Sequence, residues 1–399
     1  MPHTRQTVSV TVRIGNALSL LTLAGLAAIA GCTRQPVGGT QPARSAQMPT
    51  VVSPVVAAPG HFVGNDACRP CHPTEFGRHR SSHHALTLRS ADQRSLGALM
   101  PPLGRVPGTD LVLSARNGAI QMAVYGHERD SIPVDNAFGS GKTGITLVAF
   151  VGSEVMELNK SYFPHLKAWY LTPGHEKQKA TDVGMMYKPD QSLQCVHCHA
   201  VTTPDSTLKP DPAFFGVGCE SCHGPGSAHV EAMRAGKPLG LSMERLQEWD
   251  ATRLNTLCAR CHRGRDDISM SSEQANQTNR FMPYGLMKSR CFLGSGNRLS
   301  CMTCHDPHGD AMTDPKGYEA ACLSCHSGRA AATQPVSGNP SAIPTHTTVK
   351  DGSLIARSCP VNRRHGCIGC HMPSRVVFPH SKVPTRMADH FIRIHARNH

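Results

Sequence analysis

Seven times the chain places two cysteines three positions apart and sets a histidine directly after the second. These are Cys68, Cys71 and His72; Cys195, Cys198 and His199; Cys219, Cys222 and His223; Cys258, Cys261 and His262; Cys301, Cys304 and His305; Cys322, Cys325 and His326; and Cys367, Cys370 and His371. With 17 cysteines and 24 histidines scattered at random over 399 residues, about 0.04 such pentapeptides are expected, so the pattern is not chance. Two thiols at this spacing can add across the two vinyl groups of a haem, and the adjacent imidazole is then placed to ligate the iron. Zinc knuckles also use paired cysteines, but they do not require a histidine after every second one. The expected cofactor is haem c, seven covalent copies, with His72, His199, His223, His262, His305, His326 and His371 as proximal ligands.

Low-spin iron needs a second axial ligand, and 16 histidines remain outside the motifs and the leader's His3. After His223 the run Gly-Pro-Gly cannot continue a helix, so the chain turns and leaves His229 available to a haem face. His308, three residues after His305, cannot reach the opposite face of the same ring and should serve a different iron. His346 and His390 are the further candidate distal ligands. His165, His175, His380 and His395 stand behind them, with surface or propionate-bonded roles as the plainer reading; His197, inside the second motif, is neither. The interval of 16 residues between the fifth and sixth motifs is the shortest and should keep those two haems adjacent.

The elements around these motifs read as follows. Residues 1–31 form a leader: Arg5 and Arg13 without an acid, an apolar run from Ile14 to Ala30, and Ile29-Ala30-Gly31-Cys32 at its end. That run is short for a membrane span. The ending resembles a bacterial lipobox, which implies lipidation of Cys32 and anchoring to a membrane rather than crossing it. A plain secretory signal is the alternative, and both export the chain to the periplasmic side. Thr33 after the lipidated cysteine favours the outer membrane. Residues 32–60, rich in Pro, Gly, Ser and Ala, read as a flexible tether. A one-haem region with a β insert is expected over 61–190 and a six-haem cytochrome region over 191–399. Alternating runs at Asp110–Ser114, Ala119–Tyr125 and Ile145–Val151 predict a small antiparallel sheet within about 105–175, beside the first haem. Leu246, Trp249, Leu254 and Leu257 predict a helix over 242–257.

Only 39% of residues are hydrophobic and 5% aromatic. Intervals of 19, 34, 38, 16 and 40 residues between the last six motifs cannot each build an apolar core. The fold class expected is therefore mainly α and coil, with porphyrin filling much of the interior and folding dependent on it. A formal charge of +13 ordinarily raises nucleic acid as a partner. Loss of Arg5 and Arg13 leaves +11, and seven ferric haems with two propionates each bring it to about +4, so internal propionates answer most of the excess. Nucleic acid is set aside. Cys291 and Cys359, left over once Cys32 is lipidated, are expected to pair as a disulfide in an oxidising compartment.

The stretches CESCHGPGSAH, CMTCHDPHG and GCIGCHMPSR, with DHFIR near the C-terminus, resemble the doubled-CxxCH multihaem cytochromes c, the group that includes the tetrahaem cytochrome of nitrifying bacteria. The resemblance runs over about 61–395. It implies that His84 in Ser82-His83-His84-Ala85, rather than His83, is the distal ligand there, although His79 stands where the family pattern has Trp. It further implies electron transfer between redox protein partners through mostly bis-His haems, which needs no catalytic residue. The alternative is a reductase or oxidase of a small nitrogen or sulfur species at one open-coordinate haem. The chain has no Cys-x-x-Cys-Lys motif, which argues against the lysine-ligated nitrite reductases.

Overall fold

The computed structural model describes residues 60–179, 182–203, 208–237, 243–268, 278–296, 298–326, 359–362, 364–378 and 380–395. The leader, Cys32, the tether and His346 lie outside them. Among the described residues are ten α-helices and eleven strands, and no helix there is long and apolar enough to cross a membrane.

The expectation of a mainly α and coil chain with one small β insert is overturned. Strands β1 (Leu88–Ser90), β5 (Asn136–Phe138), β6 (Ile145–Val151), β7 (Glu154–Phe163), β8 (Ala168–Leu171) and β9 (Gly184–Tyr187) make a six-stranded antiparallel sheet, with β9 pairing β7 off the main path. A second sheet joins β2 (Leu111–Arg116), β3 (Ala119–Val124) and β4 (Ile132–Pro133), and β10 (Ser374–Phe378) pairs β11 (Val383–Ala388) in a hairpin. The longest strand, β7, hid behind its polar residues. Asn159 is buried and donates to the carbonyls of Lys179 and Asp182 at 3.0 Å each, while Glu157 accepts from Tyr187. Satisfied in this way, polar groups can sit inside a sheet at little cost, and the alternation they break is lost to the reader of the sequence.

The two larger sheets enclose an apolar core of Leu111, Leu113, Ile120, Met122, Ile145, Leu147, Leu158 and their neighbours. A second cluster joins the six-stranded sheet to the second motif rather than the first: Leu88, Phe138, Val148 and Val155 pack against Val196 and Ala200. The helix that carries this motif, Pro189–His199, starts with Pro at its first turn, where the missing N–H costs nothing. It is pinned to the sheet by the Val155 N–H donating to Ser192 Oγ at 2.9 Å.

The other motifs sit on short helices or turns. The expected helix over 242–257 is broken: Leu246–Glu248 forms a single 3₁₀ turn, and the helix proper runs Ala251–His262. The side chain of Asp250 accepts from the Arg253 N–H at 2.8 Å, an N-cap that starts the helix there. Leu246 and Leu254 are both buried, so their spacing reflects a shared core across a turn rather than one continuous helix.

Candidate functional site

Motifs are tied to one another by a repeated polar device. Asn65, three residues before Cys68, accepts the Cys219 N–H of the third motif at 2.8 Å. Asn255, three residues before Cys258 and fully buried, accepts the Cys301 N–H of the fifth motif at 2.9 Å and donates to the Leu299 carbonyl at 3.2 Å. Buried Glu319 stands at the same offset before Cys322 and acts electrostatically on Cys367 of the seventh motif. The thiols follow the same pairing: Cys68 lies beside Cys219, Cys258 beside Cys301 and Cys322 beside Cys367. These three residues were missed in the sequence. The signal available was a polar side chain three positions ahead of a motif, but without the fold it is indistinguishable from surface polarity.

Further thiol neighbours link the pairs. Cys222 lies beside Cys258, Cys304 beside Cys322, and Cys198 beside Cys261. The motifs therefore succeed one another in space as first, third, fourth, fifth, sixth and seventh, with the second attached as a branch beside the fourth. One continuous cavity of about 3500 Å³ is lined by His72, His223, His262, His305, His326 and His371 with their cysteines. Single cofactor pockets hold about 300–1,000 Å³, so this space is suited to several prosthetic groups.

Imidazoles face each other across this cavity. Two rings on opposite faces of one metal, at about 2.0–2.1 Å metal–nitrogen distance, put their centres about 6.3 Å apart. The observed separations are 6.4 Å for His72 and His229, 6.4 Å for His223 and His308, 6.2 Å for His305 and His390, and 5.9 Å for His262 and His84. Each pair joins one motif histidine to a histidine from elsewhere in the chain. In several, the Nδ1 nitrogen is turned to a backbone carbonyl: His223 to Glu244 at 3.2 Å, His390 to Ala388 at 2.9 Å and His84 to Pro307 at 3.4 Å. This is the outer-shell bond that fixes the tautomer and leaves Nε2 for a metal. Burial, then neighbouring histidines, holds His262 and His305 down at about 4, so both stay neutral, the form that ligates. The residues present thus fit haem with two axial imidazoles.

Local contacts place the facing rings. Glu220, inside the third motif and buried, accepts the N–H groups of Val63 (3.0 Å), Gly64 (2.8 Å) and Gly226 (2.7 Å), binding the approach to the first motif to the turn that presents His229. Arg78, on the helix Pro73–His79 after the first motif, pairs with Asp306, whose other oxygen accepts the His308 N–H at 3.0 Å. His79 is buried and pushed down to about 4 by burial first and then by His84 and His308.

The remaining sequence candidates fall elsewhere. His83 binds Asp310, its backbone N–H at 2.7 Å. His165 lies edge-on to Phe163, and His380 stands within electrostatic reach of Glu176. His395 accepts from Arg375 at 3.1 Å, and His197 is exposed. His371 turns Nδ1 to the Arg393 carbonyl at 3.1 Å. Two described cysteines belong to no motif: Cys291 lies beside Cys322, and Cys359 accepts the Asn362 N–H at 3.5 Å.

Only the second motif departs from this scheme among the first five. His199 turns Nδ1 to the Thr87 carbonyl at 2.8 Å and stacks on Phe138 with centroids 4.4 Å apart. Among the described residues no imidazole faces it. Beside it lies a cluster around the buried His175: its Nε2 is 3.0 Å from Oε2 of the half-buried Glu157, and the hydroxyl of the half-buried Tyr187 donates to the same oxygen at 3.0 Å.

Residues 157–224, which include that cluster and the second and third motifs, match the family model for cytochrome c554 and c-prime. The dissimilatory sulfite reductase MccA of Wolinella succinogenes is 22% identical over 371 residues, covering 79% of this chain and 51% of that protein. The chain thus spans about half the length of this curated relative. Among solved structures, the outer cell wall cytochrome OcwA aligns at a TM-score of 0.45 and 15% identity, over 83% of this chain and 79% of that one. The undecahaem S-layer cytochrome of Carboxydothermus ferrireducens aligns at 0.40 and 17%, over 82% and 53%. The repeated attachment pentapeptides and the matched segment together make the chain similar to the multihaem cytochromes c.

Proposed function

We propose that this chain is an exported heptahaem c-type cytochrome that carries electrons between redox protein partners, anchored by lipid on Cys32 after removal of residues 1–31. The observation that supports it most directly is the set of four imidazole pairs at the spacing of a shared metal, each bridging separate parts of the chain. When bound, haem supplies a one-electron couple at its iron. His72 with His229, His262 with His84, His223 with His308 and His305 with His390 would fill both axial positions, which closes these sites to substrate. His326 and His371 are proximal ligands in the same way, and His346 is retained as a distal ligand for one of them. Asn65 and Asn255 hold the first motif to the third and the fourth to the fifth, and electrons would pass over short distances along the line from the first to the seventh. The test is the haem-to-chain ratio of the exported protein, read with its intact mass. Seven covalent haems and a lipid-bearing Cys32 are expected, and fewer haems or an unmodified leader overturns the reading.

A second reading, a reductase or oxidase of a small nitrogen or sulfur species, is favoured by one observation: the absence of an imidazole facing His199 among the described residues. The name of the 22%-identical relative, a sulfite reductase, makes sulfite a substrate to test. Turnover of sulfite or nitrite by the reduced holoprotein supports it, and inertness toward both removes it.

A further inference from the structure

Four imidazoles assigned to axial positions turn Nδ1 to a neutral backbone carbonyl: His84 to Pro307 at 3.4 Å, His223 to Glu244 at 3.2 Å, His390 to Ala388 at 2.9 Å and His371 to Arg393 at 3.1 Å. His308 is placed differently. Its Nδ1 is buried without a hydrogen-bond partner and stands 3.6 Å from Oδ1 of the Asp306 carboxylate. That separation is too long for a hydrogen bond but short for the field of a charge.

Two segments of the chain fix this carboxylate. Asp306 follows His305 of the fifth motif, and its side chain is 10% exposed. Oδ1 accepts the His308 N–H at 3.0 Å, a local turn in which the aspartate side chain bonds its own backbone two residues on. Oδ2 pairs with the guanidinium of Arg78, on the helix Pro73–His79 that follows the first motif. A second bond fastens the same two segments, the His83 N–H donating to Asp310 Oδ1 at 2.7 Å. Glu75, one turn before Arg78, and Arg78 itself both act electrostatically on His308. Charges from the first motif's helix therefore bear on the ring that faces His223 of the third motif.

A ferric haem with two neutral axial imidazoles carries one more positive charge than its ferrous form. A carboxylate held beside the outer nitrogen of a ligating imidazole raises the basicity of that ligand and favours the ferric state. A guanidinium in the same surroundings opposes it, and a neutral carbonyl pulls more weakly than either. Resting on the electron-carrier reading, in which His308 ligates iron, we propose that Asp306 and Arg78 set the potential of the third haem as opposed charges: Asp306 lowers it and Arg78 limits how far. Both are positioning residues that act through His308. The helix after the first motif thereby tunes the next haem along the line.

The test is a redox titration of the holoprotein, followed at the haem absorption and by electron paramagnetic resonance, in two variants that each remove one charge. His308→Met identifies the third haem as the one whose midpoint and low-spin signal it changes. Asp306→Asn keeps an oxygen for the His308 N–H and loses the charge, and should raise that midpoint by at least a tenfold change in the ferric-to-ferrous ratio, about 59 mV for one electron. Arg78→Gln, with a more exposed side chain, should lower the same midpoint by at least threefold, about 28 mV. Loss of a fastening alone does not give opposite signs. Shifts of the same sign, or a smaller shift in either variant, overturn the proposal. If Asp306→Asn does not fold, Arg78→Gln decides alone, and an unchanged or raised midpoint there overturns it. When His308→Met moves one haem and the charge variants move none, His308 is a ligand and the potential-setting pair is refuted by itself. When His308→Met moves no haem, the ligand assignment falls and the proposal falls with it.

Discussion

Replacing Glu220 by Ala should unfasten the first haem site without touching either of its ligands. The carboxylate is 3% exposed and is the acceptor for three backbone N–H groups, those of Val63, Gly64 and Gly226. Truncation leaves all three without their partner, and each buried orphan donor costs about 1–3 kcal/mol. Water will reach some of them, so the expected loss is roughly 3–6 kcal/mol rather than the full sum. Because Val63 and Gly64 lead into the first motif while Gly226 begins the helix Ser227–Arg234 that carries His229, the lost bonds bear on the His72–His229 pair before any other. Denaturant unfolding of the holoprotein, followed at the haem absorption and by backbone circular dichroism, gives the stability change. Electron paramagnetic resonance of the folded variant should show one new high-spin iron. Glu220→Gln, which keeps one carbonyl oxygen, should fall between wild type and Glu220→Ala. A loss below about 1 kcal/mol, or a destabilised protein whose paired-imidazole signals are all unchanged, would refute the idea that this carboxylate sets the His229 approach.

Two other outcomes follow from named groups. His308→Met should raise the potential of one haem within the about 0.8 V range that axial ligands command, because thioether is the weaker donor to ferric iron; an unchanged redox titration would exclude His308 as a ligand. Acid should weaken the fold partly through His79, which folding depresses from 6.5 to about 4, by burial first. Above pH 6.5 both states are neutral and the group contributes nothing. Between 6.5 and 4 the unfolded chain takes up the proton and the folded one does not, so stability falls with pH by up to about 3 kcal/mol. His79→Gln should lose less over that window, and parallel acid curves for variant and wild type would contradict this assignment.

What the sequence disclosed and what it hid follow from range. A haem attachment site is written in five consecutive residues, so all seven motifs could be located from spacing alone. His229 was legible as a candidate from the Gly-Pro-Gly turn, His308 from its closeness to His305, His84 from the family resemblance and His390 from its place in DHFIR, but their partners were not. His229 faces His72, 157 positions away, and no local pattern encodes that. The sheets were hidden for a related reason. β7 carries Asn159 and Ser161, both buried, and the half-buried Glu157, and their burial is tolerable only because residues far along the chain bond them. The helix expected over 242–257 was misjudged because Asp250 caps a new helix inside an apolar pattern that spans both pieces. Cys291 and Cys359 were paired by elimination, an argument about compartment rather than position.

The most direct test of the paired-imidazole account is the electron paramagnetic resonance spectrum of the fully oxidised holoprotein, with spins counted per chain. The ring planes of His223 and His308 are 2° apart, those of His72 with His229 and His305 with His390 are 30° apart, and those of His84 and His262 are 68° apart. Near-parallel imidazoles split the iron π orbitals more than crossed ones. The account therefore predicts at least four low-spin irons per chain, three with rhombic signals and one with the highly anisotropic signal of crossed ligand planes. A spectrum dominated by high-spin iron, or fewer than four low-spin irons per chain, would contradict it.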